Sequence, residues 1–472
     1  MSDFAPHTDD DVNSMLEFLN LDSIAQLFDS IPRELRNFRP PYHRQGISET
    51  DLIRLFVDIS AKNNSIEQGK LVCFAGGGAY DHVIPAVTRS LSSQSGFVTS
   101  YTPYQAEVSQ GVLQALFEFQ SLVSRLAGLP VANASLYDGA SACAEAVRMA
   151  AAVTGRHEVW VSDGLNPNWR QVLSTYALGA DLHLIRAPLE DGVTAWDRIL
   201  PDTAYGLEDQ GSTARSMKQY VDGSIDPPAA VVVAYPNYLG NLEDMDTPRI
   251  IADATEAVLI VAFDPIAAAL LRSAGEWGAD VAVAEGQCLG VPLSYGGPYL
   301  GLFACKQEYI RKIPGRVVGR TVDTDGRVAY TMTLRTREQD IRRERATSNI
   351  CTNQALMAVT AAIQLSWLGT YGLREVAIRC VRGARYLREL LSGVEGIGFL
   401  NNRNYFREFA VTTPLPAREV VDRMIDHGFL AGIPLDPELA NGDDHALLMS
   451  VTEKRTAEEI QAFVRALQEV LA

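Results

Sequence analysis

Hydrophobic and polar positions divide the 472-residue chain into three stretches. Residues 1 to about 70 carry helical spacing: Met15, Leu16, Leu19, Ile24, Leu27 and Phe28 precede Pro32. A second helical pattern begins at Ser48, with Glu49 and Asp51 in its first turn and Leu52, Leu55, Phe56 and Ile59 behind. Between them, RNFRPPYHRQG breaks any helix at Pro40-Pro41. Such an arm suits packing or oligomerisation better than catalysis.

Beyond Gly76-Gly77-Gly78, the stretch Thr102-Pro103-Tyr104-Gln105 predicts a helix start. Thr102 serves as N-cap, Pro103 suits the first helical position, and Gln105 completes a capping box. Val108, Val112, Ala115, Phe119, Leu122 and Leu126 then repeat in steps of four and three; Leu113, Leu116 and Val123 widen the stripe, and Gly128 and Pro130 end it.

From about 130 to 305 apolar runs alternate with helical stretches. VWVS, LHLIRA, AVVVAYPN, VLIVAFDP, VAVA and LGLFAC read as strands, and IAAALLRSAG after Pro265 reads as helical. Continuous apolar strands separated by helices predict a mostly parallel sheet covered on both faces. After about 315 the pattern becomes Arg-rich. It then becomes a long helix near 353–394 and a small α+β region ending in a helix from Thr456. The expected division is a helical N-terminal arm (1–73), a large α/β domain (74–320) and a small C-terminal domain (321–472).

Composition narrows the function. The chain is 47% apolar and 21% charged, an ordinary globular mix. Its 41 Lys plus Arg against 58 Asp plus Glu leave a net charge of −17, which argues against nucleic-acid binding. The most apolar window, Ala257 to Leu271, is too short to span a membrane and holds Asp264 and Pro265. The N-terminus is acidic where a targeting peptide would be basic. The six Cys show no metal-ligand spacing, so free thiols and a cytoplasmic location are expected.

Three segments offer chemistry. Asp138, Gly139, Ala140 and Ser141 form a strand-to-helix turn that aims N–H groups at an anion, or else a plain connection. Asp264 ends an apolar strand, where it either caps a helix or holds a protonated ring nitrogen. Together these outline a fold-type-I pyridoxal phosphate enzyme, but the Lys such an enzyme needs is missing: Gln287 and Cys288 stand where it is expected. The third segment is basic. Residues 311 to 345 hold ten basic and five acidic side chains, a local +5 that is either a solvated helix or a dock for an acidic partner.

At these motifs the chain resembles the alpha-subunit (subunit 1) family of glycine dehydrogenase (decarboxylating), half of the two-gene P-protein of the glycine cleavage system. The matching stretches are FAGGGAYDHV (74–83), YTPYQAEVSQGVLQALFEFQ (101–120), YDGASACAEA (137–146), EGQCLGVPLSYGGPYLG (285–301), PGRVVGR (314–320) and REQDIRRERATSNICTNQ (337–354). The resemblance implies the fold-type-I pyridoxal-phosphate-dependent transferase fold. It also implies assembly, as two alpha and two beta chains, with a beta subunit that carries the Schiff-base Lys. Glycine would be decarboxylated and its aminomethyl group passed to the lipoyl arm of H-protein.

Tyr101, Tyr104, Gln105 and Glu107 sit at the polar tip of the helix expected from Thr102, so they either project into the partner's active site, a reading the resemblance favours, or are ordinary surface. Arg335, Arg337, Arg342, Arg343, Arg345 and Asn349 would form a docking edge for H-protein or the beta subunit. The family motif reads R-E-Q-H-I-R-R-E-K; here Asp340 replaces the His and Arg345 the Lys, so a proton-transfer role for that His does not carry over. Two other readings stand beside this one: a self-sufficient decarboxylase or aminotransferase using an unexpected Lys, and a non-catalytic scaffold for the beta subunit.

Overall fold

The computed structural model describes residues 6–36, 46–66, 69–198, 200–201, 226–440 and 442–472. The expected break at Pro40-Pro41 lies outside them. Two compact units divide between Asn64 and Ser65. In the first, α1 (Asp9–Leu19) opens on a capping box between Thr8 and Asp11, and α2 (Glu49–Ser60) on the Ser48 hydroxyl, which accepts from the Asp51 N–H. The helical period is as expected, but neither helix buries a residue: Phe18, Leu52 and Phe56 are all exposed.

The second unit is built on an eight-stranded sheet. Its strands are β1 (Val131–Ala132), β2 (Glu158–Ser162), β3 (His183–Ala187), β4 (Leu200–Pro201), β5 (Ala230–Tyr235), β6 (Val258–Phe263), β7 (Val281–Glu285) and β8 (Gly301–Cys305). They lie in the order β1-β8-β7-β6-β5-β2-β3-β4, parallel from β7 through β3 and antiparallel at both edges. The unbroken apolar runs have a simple cause: alternate residues serve two cores. Val231, Val233, Leu259 and Val261 face a cluster with α3 (Gln110–Ala127), while Val232, Ile260 and Val283 face one with α4 (Gly139–Thr154) and α5 (Pro167–Ala180).

Two local expectations are corrected. Helix α3 starts at Gln110, not at Thr102-Pro103, and residues 101–109 form turns. Pro103 is buried and the Tyr104 hydroxyl is bonded to Asn353, so tertiary contacts outweigh the local capping signal. Val108 is therefore exposed and off the stripe, which runs through Val112, Leu113, Leu116, Phe119, Val123 and Ala127. The second correction is IAAALLRSAG, which yields only a short 3-10 turn at Ala267–Ala269. Gly275 must approach the end of α3 closely, since a Cβ on it would lie 2.0 Å from the Gly128 carbonyl oxygen.

A hairpin of β9 (Val317–Val322) and β10 (Val328–Thr333) leads through short turns to the long helix α6 (Ala355–Leu391), kinked at Gly369. Among the described residues this is the helix long and apolar enough to cross a membrane; its buried side chains, Ala358 to Leu365 among them, pack into the protein core. The C-terminal region is an antiparallel sheet in the order β11 (Gly398–Phe399), β12 (Glu408–Thr412), β14 (Ala446–Ser450), β13 (Ile433–Pro434). Helices α7 (Ala417–Asp426) and α8 (Ala457–Leu471) cover it, the latter opening on a Thr456–Glu459 capping box.

Candidate functional site

A cleft of about 90 Å³ lies at the carboxyl ends of β5, β6 and β7, closed on the other side by Phe406, Arg407 and Glu408. Crevices at strand ends of open α/β sheets are where ligands bind, and small-molecule pockets usually run to roughly 300–1,000 Å³. This one is smaller, and the charged groups that line it pair with one another.

Asp264 ends β6. Its Oδ1 accepts from the Ile266 and Ala267 N–H groups at 2.8 and 3.0 Å, and its Oδ2 is bound by the buried Arg407 guanidinium. Arg407 stacks 3.5 Å from the Tyr80 ring centroid and approaches His82 Nε2 at 2.5 Å. An arginine can only donate, so His82 Nε2 accepts and Nδ1 carries the proton to Glu453 Oε2 at 2.6 Å. Burial works to raise Glu453, but the hydrogen bonds from His82 and the Val83 N–H hold it below its ordinary value. Beside Arg407, Glu408 accepts from the Tyr80 hydroxyl and the Gly77 N–H, each at 2.6 Å; burial pushes its pKa up to about 7. The segment 80–82 is clasped further by Asp81, whose carboxylate takes Lys454 at 2.7 Å and Arg455 at 3.1 Å.

The strand-to-helix turn is where the sequence placed it. Asp138 caps α4 and accepts from the Ser141 N–H at 2.7 Å, and Ala140 and Ser141 lie in its first turn. The Gly139 N–H donates 2.9 Å to Glu285 Oε2. A Cβ on Gly139 would sit 2.2 Å from the Trp169 ring, which is why glycine is needed there.

At the expected Schiff-base position, Gln287 is a brace. It accepts from the Tyr80 N–H at 2.8 Å and donates to the Tyr80 and Val291 carbonyls at 3.1 and 2.9 Å. Cys288 does line the cleft, but burial pushes its thiol well above the ordinary range. No described Lys lines the cleft: Lys306 is paired with Asp280 at 2.5 Å and Lys454 with Asp81. These residues do not fit pyridoxal phosphate. The imine-forming amine is absent among them, Asp264 is committed to Arg407 and the turn faces a carboxylate.

The other polar motifs meet elsewhere. Tyr104 Oη donates to Asn353 Oδ1 at 2.5 Å, with Arg316 over its ring at 5.1 Å. Asn353 in turn donates to the Ala134 carbonyl at 2.6 Å. Around this junction Tyr101 is 98% exposed, and Gln105 and Glu107 are also exposed. The basic segment divides. Arg342, Arg343, Arg345 and Asn349 are exposed and Arg335 pairs with Asp340, but Arg337 is buried and bonded to the Ile313 and Gly315 carbonyls. Arg337 is a structural residue, which corrects its assignment to a docking edge.

Sequence reading missed Arg407, Glu285, Glu408, Tyr80, His82 and Asn353. One signal was available: Arg407-Glu408 is a charged pair inside the apolar run Tyr405-Phe406 to Phe409-Ala410-Val411.

A profile of the glycine cleavage system P-protein family matches residues 2–467. The chain is 43% identical over 462 residues to a probable glycine dehydrogenase (decarboxylating) subunit 1 of Desulforamulus reducens, covering 97% of each chain. It is 45% identical to the protein of that name from Prosthecochloris aestuarii, covering 98% of each. Among solved structures, an inhibitor-bound glycine decarboxylase (P-protein) superposes with a TM-score of 0.86 at 37% identity, covering 99% of this chain and 100% of that one. A glutamate decarboxylase from Lactobacillus brevis, 14% identical with a TM-score of 0.63 and covering 93% and 96%, shares the fold, which is fold type I of the pyridoxal phosphate enzymes.

Proposed function

We propose, for a chain that belongs to the glycine cleavage system P-protein family, that it is the cofactor-free half of a two-subunit glycine dehydrogenase (decarboxylating). The beta subunit carries the Lys that binds pyridoxal phosphate, and two alpha and two beta chains assemble in the cytoplasm. Glycine loses its carboxylate there, with the cofactor as electron sink. The aminomethyl group passes to the lipoyl arm of H-protein. The observation that carries this reading is the cleft, where Arg407 neutralises Asp264 and no described Lys is present. Tyr101, Tyr104, Gln105 and Glu107 complete the partner's site, a role supported by the exposure of Tyr101 beside the Tyr104–Asn353 junction.

The test is reconstitution. The chain alone, mixed with pyridoxal phosphate, should show no borohydride-sensitive imine absorbance and no glycine–bicarbonate exchange; adding the beta subunit should restore both. An imine on the isolated chain would favour the self-sufficient enzyme instead.

A further inference from the structure

Glu285 closes β7, whose preceding residues Val281 to Ala284 are all core. A strand end of this kind needs no acid, yet the carboxylate turns inward. Oε2 accepts from the Gly139 N–H at 2.9 Å, and Oε1 accepts from the Gln287 and Leu300 N–H groups, each at 3.0 Å. Three donors from three separate segments converge on one anion at the head of the sixteen-residue helix α4. Convergent backbone N–H groups at a helix N-terminus are the means by which proteins hold a phosphate. Trp169 lies against Gly139 on the cleft side.

We propose that Glu285 is a built-in replacement for a cofactor's phosphate group: its carboxylate fills the anion cradle at the N-terminus of α4 and keeps phosphorylated ligands out of this chain's cleft. Acceptors and space both support this. The carboxylate already satisfies donors that would otherwise be buried without partners. Truncating the side chain at Cβ removes its two oxygens and two carbons, and the vacated volume joins the cleft of about 90 Å³ that Glu285 lines. Burial lifts the Glu285 pKa to about 7 against the pull of the N–H groups. This inference goes beyond the partner-subunit reading and stands whether or not Tyr104 acts in the partner's site.

The test uses the full chain and inorganic phosphate, compared with chloride at matched ionic strength and pH 8. Wild-type protein should give no saturable heat in calorimetric titration and no phosphate-dependent shift of its melting midpoint. Glu285→Ala should bind phosphate saturably, and its midpoint should rise with each tenfold step in phosphate, as for any ligand that binds only the folded state. Saturable binding by wild type, or a folded Glu285→Ala that ignores phosphate, overturns the proposal. Should Glu285→Ala not fold, Glu285→Gln decides. Loss of the charge should speed amide hydrogen exchange in the peptide spanning 139–143, and unchanged protection there would count against the cradle.

Discussion

Tyr104 and Asn353, 249 positions apart, share a hydrogen bond of 2.5 Å. The bond ties the turn ahead of α3 to the loop ahead of α6 and leaves Tyr101 projecting beside it. In the assembled enzyme, Tyr104→Phe should lower glycine–bicarbonate exchange while assembly stays intact. Where the Tyr104 hydroxyl also meets a charged group in the transition state alone, losing that bond, roughly 1.5–3 kcal/mol, slows the reaction by about ten- to a hundredfold. Asn353→Ala should weaken exchange in the same direction, by releasing Tyr104. Wild-type rates for both Tyr101→Phe and Tyr104→Phe would make this an ordinary surface.

The Arg407–Asp264 pair is buried, so breaking one side strands the other. Arg407→Met should cost about 3–5 kcal/mol, read from the urea midpoint at constant slope. Asp264→Asn added to it should recover part of that loss. Equal stability of Arg407→Met and wild type would mean that water reaches Asp264.

Glu285 and Glu408 both have folded pKa values of about 7, above the 4.5 of an unperturbed Glu. Between those values the folded chain binds more protons than the unfolded one, so their contribution to stability is greatest below about pH 4.5 and is lost as pH rises through 7. Glu408→Gln removes one titrating group. It should flatten the fall in stability between pH 5 and pH 8 by up to about 1.4 kcal/mol per pH unit, measured by urea unfolding across that range. An unchanged slope would show that Glu408 is ionised throughout.

The exposed Arg342, Arg343 and Arg345 make a narrower basic edge than the composition suggested. If this edge docks an acidic partner, Arg345→Glu should slow that association and reduce its salt dependence, with little change in stability. Arg337→Ala should do the reverse, lowering stability because the Ile313 and Gly315 carbonyls lose their donor. The two variants separate docking from folding in one binding-and-melting series.

The strands of the large sheet were legible because each is an uninterrupted apolar run feeding two cores, and Gly128 marks the end of α3 by its left-handed conformation. The start of α3 was not legible. Thr102-Pro103 is a sound local cap, and what displaces it is a partner 249 residues away. The anion turn and the missing Lys could be read from residue type and spacing. What fills the turn could not: Glu285 and Arg407 each look like a charge bound for solvent until the fold brings Gly139 and Asp264 to them.

The clasp at residues 80–82 has a mechanical consequence. Asp81 is anchored to Lys454 and Arg455, His82 to Glu453, and Tyr80 to Gln287, so a single short segment is bolted to the C-terminal sheet region on one side and to the β7–β8 connection on the other. A hinge between those regions could swing only by breaking the buried Tyr80–Gln287 hydrogen bonds or the Asp81 and Glu453 contacts, which would leave buried polar groups without partners. The chain is therefore a stiff jig.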